Sequence, residues 1–326
     1  MAADDDPVLL WARPAEAHVC LGPHQDAQAE LALDGNGRAA GLPVLRRETG
    51  GGTVYVDGDQ WVFAFIVPRR QFPGRPAELF QRLLPAVAAA YRRCGLPVVP
   101  RGTNDLWCGE RKIGGTGMAT IGPALVLTGS FLLRFPAARF AAAVNCPSPV
   151  FRTFLREALA ETVAAWTDWA PPPRPGRLKR ALRTAIAQEL GWVVAPDGPA
   201  AGERAAVVEA EGELRDPDWL WEPLGRRAVS EGIKLKGDAF LTERTLPGLG
   251  RVTVQTAGGR IRRLALDGVP EAALQRCIGH VPREDVLAAA LAVPRGREWA
   301  RAVASVAVCS EGEGARRPVR TEIEQG

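Results

Sequence analysis

The chain has 326 residues, of which 46% are hydrophobic and 24% charged, a composition typical of a globular protein with one large domain and a smaller one. Its 41 basic residues exceed its 37 acidic residues by only four, and no Lys/Arg block is long enough to indicate nucleic-acid binding. No run of about 18 apolar residues predicts a membrane span.

The start of the chain and the cysteines predict the compartment. The first residues are acidic and lack the basic and apolar regions of a signal peptide. The six cysteines are dispersed without a CxxC pair, which argues against a disulfide framework or a zinc site. They are Cys20, Cys94, Cys108, Cys146, Cys277 and Cys309. We therefore expect a cytoplasmic protein.

The first predicted elements are β-strands. Residues 8–11 and 18–22 are apolar runs separated by a turn, and residues 43–45 form a third short run. A longer β-rich run covers residues 61–67, and residues 76–94 show the apolar spacing of a helix. These elements predict the beginning of an α/β domain.

A glycine-rich segment stands between the third and fourth of these strands. Residues 46–57 read RRETGGGTVYVD. Glycine lacks a Cβ, so the backbone of the three glycines can lie directly against a ligand and direct its N–H groups at an anion. The glycines are Gly50, Gly51 and Gly52. Arg46 and Arg47 add positive charge suited to phosphate or carboxylate, so the segment predicts a site for a small anionic molecule.

A second segment, residues 102–117, reads GTNDLWCGERKIGGTG. It contains Lys112, one of only four lysines among the 41 basic residues. Since the chain otherwise uses arginine for positive charge, a lysine here indicates a need for a compact ammonium group. We expect Lys112 to lie in a glycine-rich loop and to contact a ligand.

The remaining elements continue the α/β pattern. A strand at residues 124–133 has Gly129 inside it, which often marks close approach of a ligand or another backbone. Amphipathic helices are predicted at residues 149–166 and, after a proline-rich break, at 177–190, the latter with a basic exposed face. Residues 195–204 have the composition of a flexible surface loop.

The C-terminal part predicts a smaller α+β domain. Two strands flanking Ala257-Gly258-Gly259 form a hairpin signal, and helical patterns follow. The strands cover residues 250–256 and 260–266, and the helical patterns cover 271–277, 283–291 and 299–308. We predict a large domain at 1–205, a smaller domain at 206–310 and a disordered tail at 311–326.

Together the two glycine-containing segments resemble the signature blocks of the lipoate–protein ligase family, which read RRxSGGGxVxxD and GRNDLxxxxRKxSGSA. Their order and distance agree, and the resemblance covers roughly residues 8–165. It implies a biotin/lipoate ligase-like α/β (α+β) fold, with a central mixed β-sheet flanked by helices and a small α+β C-terminal domain. The C-terminal layout, with Trp219 and Trp221 before the hairpin, also resembles the family's accessory domain.

The resemblance implies an enzyme that uses ATP to convert lipoate to lipoyl-AMP and then transfers the acyl group to a lysine of an apo lipoyl-domain protein. In this family the residue at Lys112 contacts the lipoyl carboxyl and the α-phosphate. Positions that match the family's ATP- or substrate-binding residues are Arg46, Arg47, Gly50, Gly51, Gly52, Thr53, Val54, Tyr55, Asn104, Asp105, Gly115, Thr116 and Gly129. Mg²⁺ is expected with ATP, near Asp105, without a dedicated side-chain cluster.

Departures from the family pattern leave alternatives. Thr128 stands where ligases usually have His, and Arg134 where an acidic residue is common. Cys146 resembles the cysteine that lipoyl-pathway octanoyltransferases use to carry the acyl group as a thioester, so octanoyl or lipoyl transfer is one alternative. A non-catalytic homologue that acts as a binding protein is the other.

The resemblance implies two kinds of partner, a small acyl substrate and an acceptor protein. The acyl substrate is lipoate or octanoate, which an apolar tunnel distinguishes weakly. The acceptor is an apo lipoyl-domain protein: a dehydrogenase E2 subunit, the glycine-cleavage H protein or a specialised lipoate-binding protein. Neither nucleic acid nor a membrane is expected as a partner.

Overall fold

The structure is a computed structural model that describes residues 6–199, 201–214, 216–222, 232–236 and 238–307. The chain divides into two compact units. The first comprises residues 1–146 and 156–228, and the second comprises residues 147–155 and 229–326, each within the described ranges. The second unit is therefore assembled from two separate pieces of chain.

The first unit contains two β-sheets. Its strands are β1 (Val8–Ala12), β2 (His18–Leu21), β3 (Val44–Arg46), β4 (Val54–Val56), β5 (Gln60–Pro68), β6 (Val98–Arg101), β7 (Asp105–Cys108), β8 (Arg111–Ile121) and β9 (Ala124–Leu132). The larger sheet has the order β1-β5-β9-β8-β7-β6, and every neighbouring pair in it is antiparallel. The smaller sheet has the order β3-β2-β4, in which β2 and β3 are parallel.

Helices cover these sheets. Those of the first unit are α1 (Ala27–Glu30), α2 (Pro76–Arg93), α3 (Ala137–Ala143), the C-terminal half of α4 (Pro149–Thr162), α5 (Pro175–Leu190), α6 (Ala201–Leu214) and α7 (Pro217–Leu220). Helix α2 begins at Pro76, a residue pre-organised for the first helical turn, and buries Leu79, Leu83, Val87 and Tyr91. Their four-residue spacing gives one apolar stripe, which joins the sheet and α5 in the main core.

The second unit is an antiparallel sheet with helices. Its strands are β10 (Ile233–Lys236), β11 (Ala239–Leu246), β12 (Gly250–Ala257) and β13 (Arg260–Leu266), paired in that order. Its helices are the N-terminal half of α4, α8 (Glu271–Leu274), α9 (Glu284–Ala290) and α10 (Gly296–Val306). The sheet buries Val252, Val254 and Ile261 in one cluster with Trp299 and Val303 of α10.

The predicted fold class is confirmed: sheets flanked by helices form an α/β molecule, with a smaller α+β unit at the C-terminus. Parallel pairing of named strands is confined to β2 and β3, so the mixed sheet is the small one. Every helix in the described ranges is too short or too polar to cross a membrane.

Two local predictions differ from the structure. Helix α4 ends at Thr162 rather than near residue 166, because the backbone N–H of Ala164 instead donates to the carbonyl of Lys112 at 2.7 Å. The loop predicted at residues 195–204 is replaced from Ala201 by α6, whose Ala- and Glu-rich sequence favours a helix. The boundary at 205/206 stays a prediction, and α6 runs across it. The predicted tail at 311–326 lies outside the described residues.

Candidate active site

The glycine-rich segment lies directly against β8. The backbone N–H of Gly50 donates to the carbonyl of Met118 at 3.2 Å, and Gly51 has a φ of +109°, which side chains rarely adopt. A Cβ on Gly22 would lie 1.9 Å from the carbonyl oxygen of Gly51, and one on Gly117 would lie 2.4 Å from that of Gly50. Glycines on both sides of the segment therefore allow main chain to pack on main chain.

Arg47 holds the glycine segment in shape. Its guanidinium donates to the carbonyls of Cys20 at 3.1 Å, Gly50 at 3.2 Å and Gly52 at 2.7 Å. These bonds fix the segment on both sides of Gly51 and keep a positive charge beside it. Arg47 thus stands where the sequence predicts a ligand-binding cation, and it also orders the segment itself.

Arg46 has a different environment from the one predicted for a ligand-binding residue. It is 2% exposed, and its guanidinium donates to the carbonyls of Gln25 at 2.7 Å and Leu220 at 2.9 Å. It also lies 5.7 Å from the ring of Trp219, and burial lowers its pKa. Because these contacts are all to protein groups, Arg46 ties α7 to the small sheet instead of facing a ligand.

The residues after the glycines separate into exposed and buried ones. Thr53 donates its hydroxyl to the Gln25 side chain at 3.1 Å, and Val54 is exposed. Tyr55 is buried in the core around the small sheet, where its hydroxyl accepts from Arg139 at 3.3 Å. Burial is the largest cause that raises the pKa of Tyr55. The predicted ligand role thus fits the exposed face of β4 better than the Tyr55 side chain.

Lys112 lies on a strand, and the prediction of a loop there is wrong. The pairing of β7 with β8 shifts register between Leu106 and Trp107, so Ile113 is the extra residue of a bulge that lies next to Lys112. Bulges re-aim side chains, and here the Lys112 ammonium lies 2.6 Å from a carboxylate oxygen of Asp105. A Cβ on Gly115 would lie 3.1 Å from the Lys112 ammonium, so glycine gives this side chain room.

The chain around Lys112 is anchored by the last turn of α4 and the segment that follows it. The Arg111 side chain pairs with Asp168 at 2.7 Å and donates to the carbonyl of Ala160 at 2.9 Å. The Lys112 carbonyl accepts from Ala164, as described above. Sequence reasoning missed Asp168, since a single Asp beside a tryptophan carries no motif signal.

Asn104 and Thr116 bind each other. The Asn104 side chain donates to the Thr116 carbonyl at 2.9 Å, and the Thr116 hydroxyl donates to the Asn104 carbonyl at 3.0 Å. These bonds shape the turn that places Asp105. Packing requires glycine at position 129, because a Cβ there would lie 2.6 Å from Phe63 and 2.8 Å from the methyl group of Thr116.

A cavity of about 370 Å³ adjoins the glycine segment. It is lined by Gly50, Gly51, Pro76, Ala77, Phe80, Asn104, Gly117, Met118, Ala119 and Thr120. One side is main chain of the glycine segment and β8, and another is the first turn of α2, whose N–H groups favour an anion. The volume is within the range of small-ligand pockets, and Asn104 connects it to the Asp105–Lys112 pair.

Two further residues singled out by the sequence are Thr128 and Cys146. Thr128, on β9, shares a hydrogen bond of 3.1 Å with Thr49, so it fastens the glycine segment to the large sheet. Cys146 follows α3, and its thiol lies 3.8 Å from the carbonyl of Ala141. The neighbouring Asn145 binds the carbonyl of Glu30 in α1 at 2.9 Å, on the side of the small sheet.

The fold and site define a class of protein: an α/β domain in which a glycine segment and a helix N-terminus line a small cavity, and a lysine on the strand that also lines it pairs with the Asp next to the cavity residue Asn104. Residues 1–182 match the family model of the Lipoyl protein ligase A/B catalytic domain. Since this match covers more than half of the chain, the protein belongs to that family, and the resemblance read from its sequence is confirmed. No curated protein is similar in sequence at a significant level.

Solved structures agree with this assignment. The chain is similar to a bi-partite lipoate protein ligase from Thermoplasma acidophilum, described with its E2 lipoyl domain, with 26% identity and a TM-score of 0.61 over 69% of this chain and 87% of that one. It shares the fold of lipoate-protein ligase A bound with ATP, at 24% identity and a TM-score of 0.56 over 67% and 86% of the two chains. It also shares that of P. falciparum LipL1 in complex with lipoate, at 14% identity and 0.51 over 92% and 87%.

Proposed function

We propose that this protein is an ATP-dependent lipoate–protein ligase. In the first step a carboxylate oxygen of lipoate attacks the α-phosphorus of ATP, and pyrophosphate leaves. In the second step a lysine amine of an apo lipoyl domain attacks the acyl carbon, and AMP leaves as the amide forms. The observation that carries the proposal is the Lys112 ammonium, held 2.6 Å from Asp105, whose neighbour in the chain, Asn104, lines the glycine-bounded cavity.

Lys112 is the proposed catalytic residue. Both steps develop negative charge on phosphoryl or carboxyl oxygens, and a pre-positioned cation stabilises such charge without forming a covalent bond. The bulge at Ile113 and the space at Gly115 give the ammonium a defined position next to Asp105. Asp105 orients the ammonium before the ligand arrives.

The cavity suits the two substrates. Phe80, Met118 and Ala119 offer apolar surface for the acyl chain, while the N–H groups of the glycine segment and of the first turn of α2 suit phosphate. No cluster of three or more His, Cys, Asp or Glu in the described ranges could hold a metal. In this proposal Mg²⁺ is held mainly by ATP and water, with Asp105 as the carboxylate within reach.

The comparisons support the choice of substrates and acceptor. The T. acidophilum relative is a lipoate protein ligase described with an E2 lipoyl domain, and two proteins of the same fold bind ATP and lipoate. We extend these properties to this chain as part of the proposal. The acceptor is then a lipoyl domain of an E2 subunit, an H protein or a specialised lipoate-binding protein, and the reaction takes place in the cytoplasm.

The direct test uses lipoate, Mg-ATP and an apo lipoyl domain. We expect lipoate-dependent release of pyrophosphate and an acceptor heavier by one lipoyl group, measured by mass spectrometry. A reaction without ATP is the control. The proposal is wrong if neither pyrophosphate release nor a mass gain occurs with E2 lipoyl domains and the H protein.

One substitution distinguishes the ligase reaction from the alternative, acyl transfer through Cys146. Cys146→Ser should leave ATP-dependent lipoylation within about twofold, because the adenylate route needs no thiol nucleophile. Octanoyl transfer from an octanoyl-carrier protein without ATP should be absent from both the unaltered protein and the variant. ATP-independent transfer that disappears in Cys146→Ser would make the protein a transferase instead.

A further inference from the structure

The outer face of α5 is basic. Helix α5 buries Leu178, Leu182 and Ile186, which leaves the opposite face to solvent. We call the following residues the α5 basic surface: Arg174, Arg177, Lys179, Arg180 and Arg183. None of them pairs with an Asp or Glu among the residues that the structure describes. They extend over about 14 Å of helix at 1.5 Å per residue, more than the phosphates of one nucleotide need.

This charge is concentrated. Between Asp168 and Glu189 the chain has five basic residues and no acidic one. The stretch therefore carries +5, whereas the whole chain carries +4, so the remainder sums to −1. Positive and negative charges nearly cancel in the rest of the chain, so the net charge lies on and just before α5. This gives the helix a long-range attraction for anions.

The position of these cations in the helix is unfavourable for the helix itself. Arg174 is the N-cap and Arg177 follows in the first turn, where no acidic residue is present. The N-terminus of a helix already has a partial positive charge, so cations there are repelled, while Asp or Glu would stabilise it. The basic residues thus contribute to something other than the stability of α5.

An exposed tryptophan connects the surface to the active site. Trp169 is 46% exposed, and its ring lies 3.3 Å from where a Cβ of Gly109 would stand, in the turn that joins β7 to β8. The residue before it, Asp168, pairs with Arg111 at 2.7 Å, and Arg111 precedes Lys112. The α5 basic surface therefore begins beside the hairpin that carries the catalytic lysine.

We propose that Trp169 and the α5 basic surface dock the acceptor protein through an acidic face of its lipoyl domain. The inference rests on the proposed function, which requires a protein lysine to reach the acyl group near Lys112. Tryptophan and arginine are the residues most enriched where proteins bind each other, and unpaired cations raise the rate at which an acidic partner associates. Nearness to the β7–β8 hairpin puts the partner where its lysine has to react.

The test compares two triple variants of the full chain. The first is Arg177→Glu, Lys179→Glu and Arg180→Glu, and the matched control is Arg262→Glu, Arg276→Glu and Arg297→Glu, all exposed in the second unit. Rates are measured with an apo E2 lipoyl domain, lipoate and Mg-ATP over a range of salt concentrations. The first half-reaction is measured separately, as lipoate-dependent pyrophosphate release with hydroxylamine replacing the protein acceptor.

We expect the α5 variant to raise the KM for the lipoyl domain about tenfold or more at low salt and to weaken its salt dependence. Its pyrophosphate release with hydroxylamine should stay within about twofold, and its Tm should not fall, because Glu is favourable at the start of α5. Trp169→Ala should also raise the KM, by about tenfold. The control variant should change neither quantity.

Other results overturn the inference. An unchanged KM, or an equal rise in the control, would remove the docking role while the ligase function stands. Binding of phosphatidylserine vesicles or duplex DNA through these residues, with an unchanged KM, would assign the surface to another partner. If the unaltered protein releases no pyrophosphate with lipoate, the proposed function fails and the docking role with it.

Discussion

At the scale of single residues, the position of Lys112 depends on backbone geometry more than on its own side chain. The register shift opposite Leu106 and Trp107 re-aims the side chain, Gly115 leaves it space, and Asp105 holds the ammonium at 2.6 Å. An ammonium on a flexible stem would otherwise sample many rotamers, so this pairing lowers the entropy lost when a ligand binds.

Replacement of Lys112 by Ala should therefore abolish most of the first half-reaction. We expect kcat for lipoate-dependent pyrophosphate release to fall about 100- to 1,000-fold, the range seen when one pre-positioned donor is removed. Arg38→Ala, which removes an exposed cation outside the site, is the control. Turnover of Lys112→Ala within tenfold of the unaltered protein would contradict the catalytic role.

Glu30 carries a prediction about pH. Burial is the main cause that raises the pKa of its carboxyl to about 7, against about 4.3 in an unfolded chain. Between these values the folded protein binds the proton that the unfolded chain has lost, so stability falls as pH rises from about 4.5 to about 7 and is level above that. Glu30→Gln should remove this part of the decline.

Urea unfolding at pH 5 and pH 8 measures the effect. The difference in unfolding free energy between the two pH values should be smaller for Glu30→Gln than for the unaltered chain. Glu189→Gln, at the exposed end of α5, should leave that difference as it is. Equal pH dependence in all three proteins would show that the Glu30 carboxyl titrates normally.

Lys112 and Arg46, both predicted to bind a ligand, have different environments in the structure for a physical reason: Lys112 pairs with Asp105 on β8, whereas Arg46 is buried on protein carbonyls. Lys112 was conspicuous because lysine is rare in this chain. Arg46 and Arg47 are neighbours and look equivalent in the sequence. Only the fold separates them, since the carbonyl that binds Arg46 belongs to Leu220, 174 positions away. A local pattern cannot indicate which of two adjacent cations such a distant contact will bury.

At the scale of elements, the glycines of β8 explain why the sequence predicts a loop where the structure has a strand. Glycine lowers strand propensity, so residues 111–117 look irregular in isolation. The strand forms nevertheless, because β7 pairs with its residues 111–115 and β9 pairs with its residues 116–121. Its glycines lie where other groups approach the backbone closely. Gly117 faces the main chain of Gly50, and Gly114 faces the side chain of Leu106.

The contact between β8 and the glycine segment can be tested with Gly117→Ala. The new Cβ would lie 2.4 Å from the Gly50 carbonyl oxygen, so the segment must move away from the strand. We expect a loss of about 1–3 kcal/mol in unfolding free energy, the usual cost of overpacking, and a higher KM for ATP.

Gly35→Ala is the control, because its Cβ would have no neighbour within 4 Å. Thermal unfolding and steady-state kinetics of both variants are compared with the unaltered chain. If Gly117→Ala leaves Tm and the KM for ATP unchanged, the segment does not depend on its contact with β8.

At the scale of the whole molecule, the two motifs predicted the family and the fold class. Both match the family's signature blocks in sequence, in order and in the distance between them, and members of one family share one fold. The composition of the second unit could not be predicted in the same way. Residues 147–155 belong to it although they are separated in sequence from the rest by the end of the first unit. Which unit a segment joins depends on tertiary contacts. The sequence of α4 shows only one ordinary amphipathic helix, with no sign that its first half belongs to the second unit.

The contact that joins the two pieces of the second unit is polar and buried. The Glu243 carboxylate, 4% exposed, accepts from the hydroxyls of Ser148 at 2.7 Å and Thr253 at 2.6 Å. Ser148 also caps α4, since its hydroxyl accepts from the N–H of Phe151 at 3.0 Å. One carboxylate therefore fixes the beginning of α4 to β11 and β12.

Glu243→Gln tests whether this carboxylate holds the second unit together. Both hydroxyls donate to the same oxygen, and Arg251 lies 3.5 Å from the other, so an amide must direct its NH₂ group at a donor. We expect a loss of about 1–3 kcal/mol in the unfolding free energy of the second unit and faster protease cleavage within residues 147–155.

Glu271→Gln, exposed in the same unit, should change neither. If cleavage rises only within β11 to β13 and not at 147–155, the beginning of α4 is held by its apolar residues Phe151 and Leu155 instead.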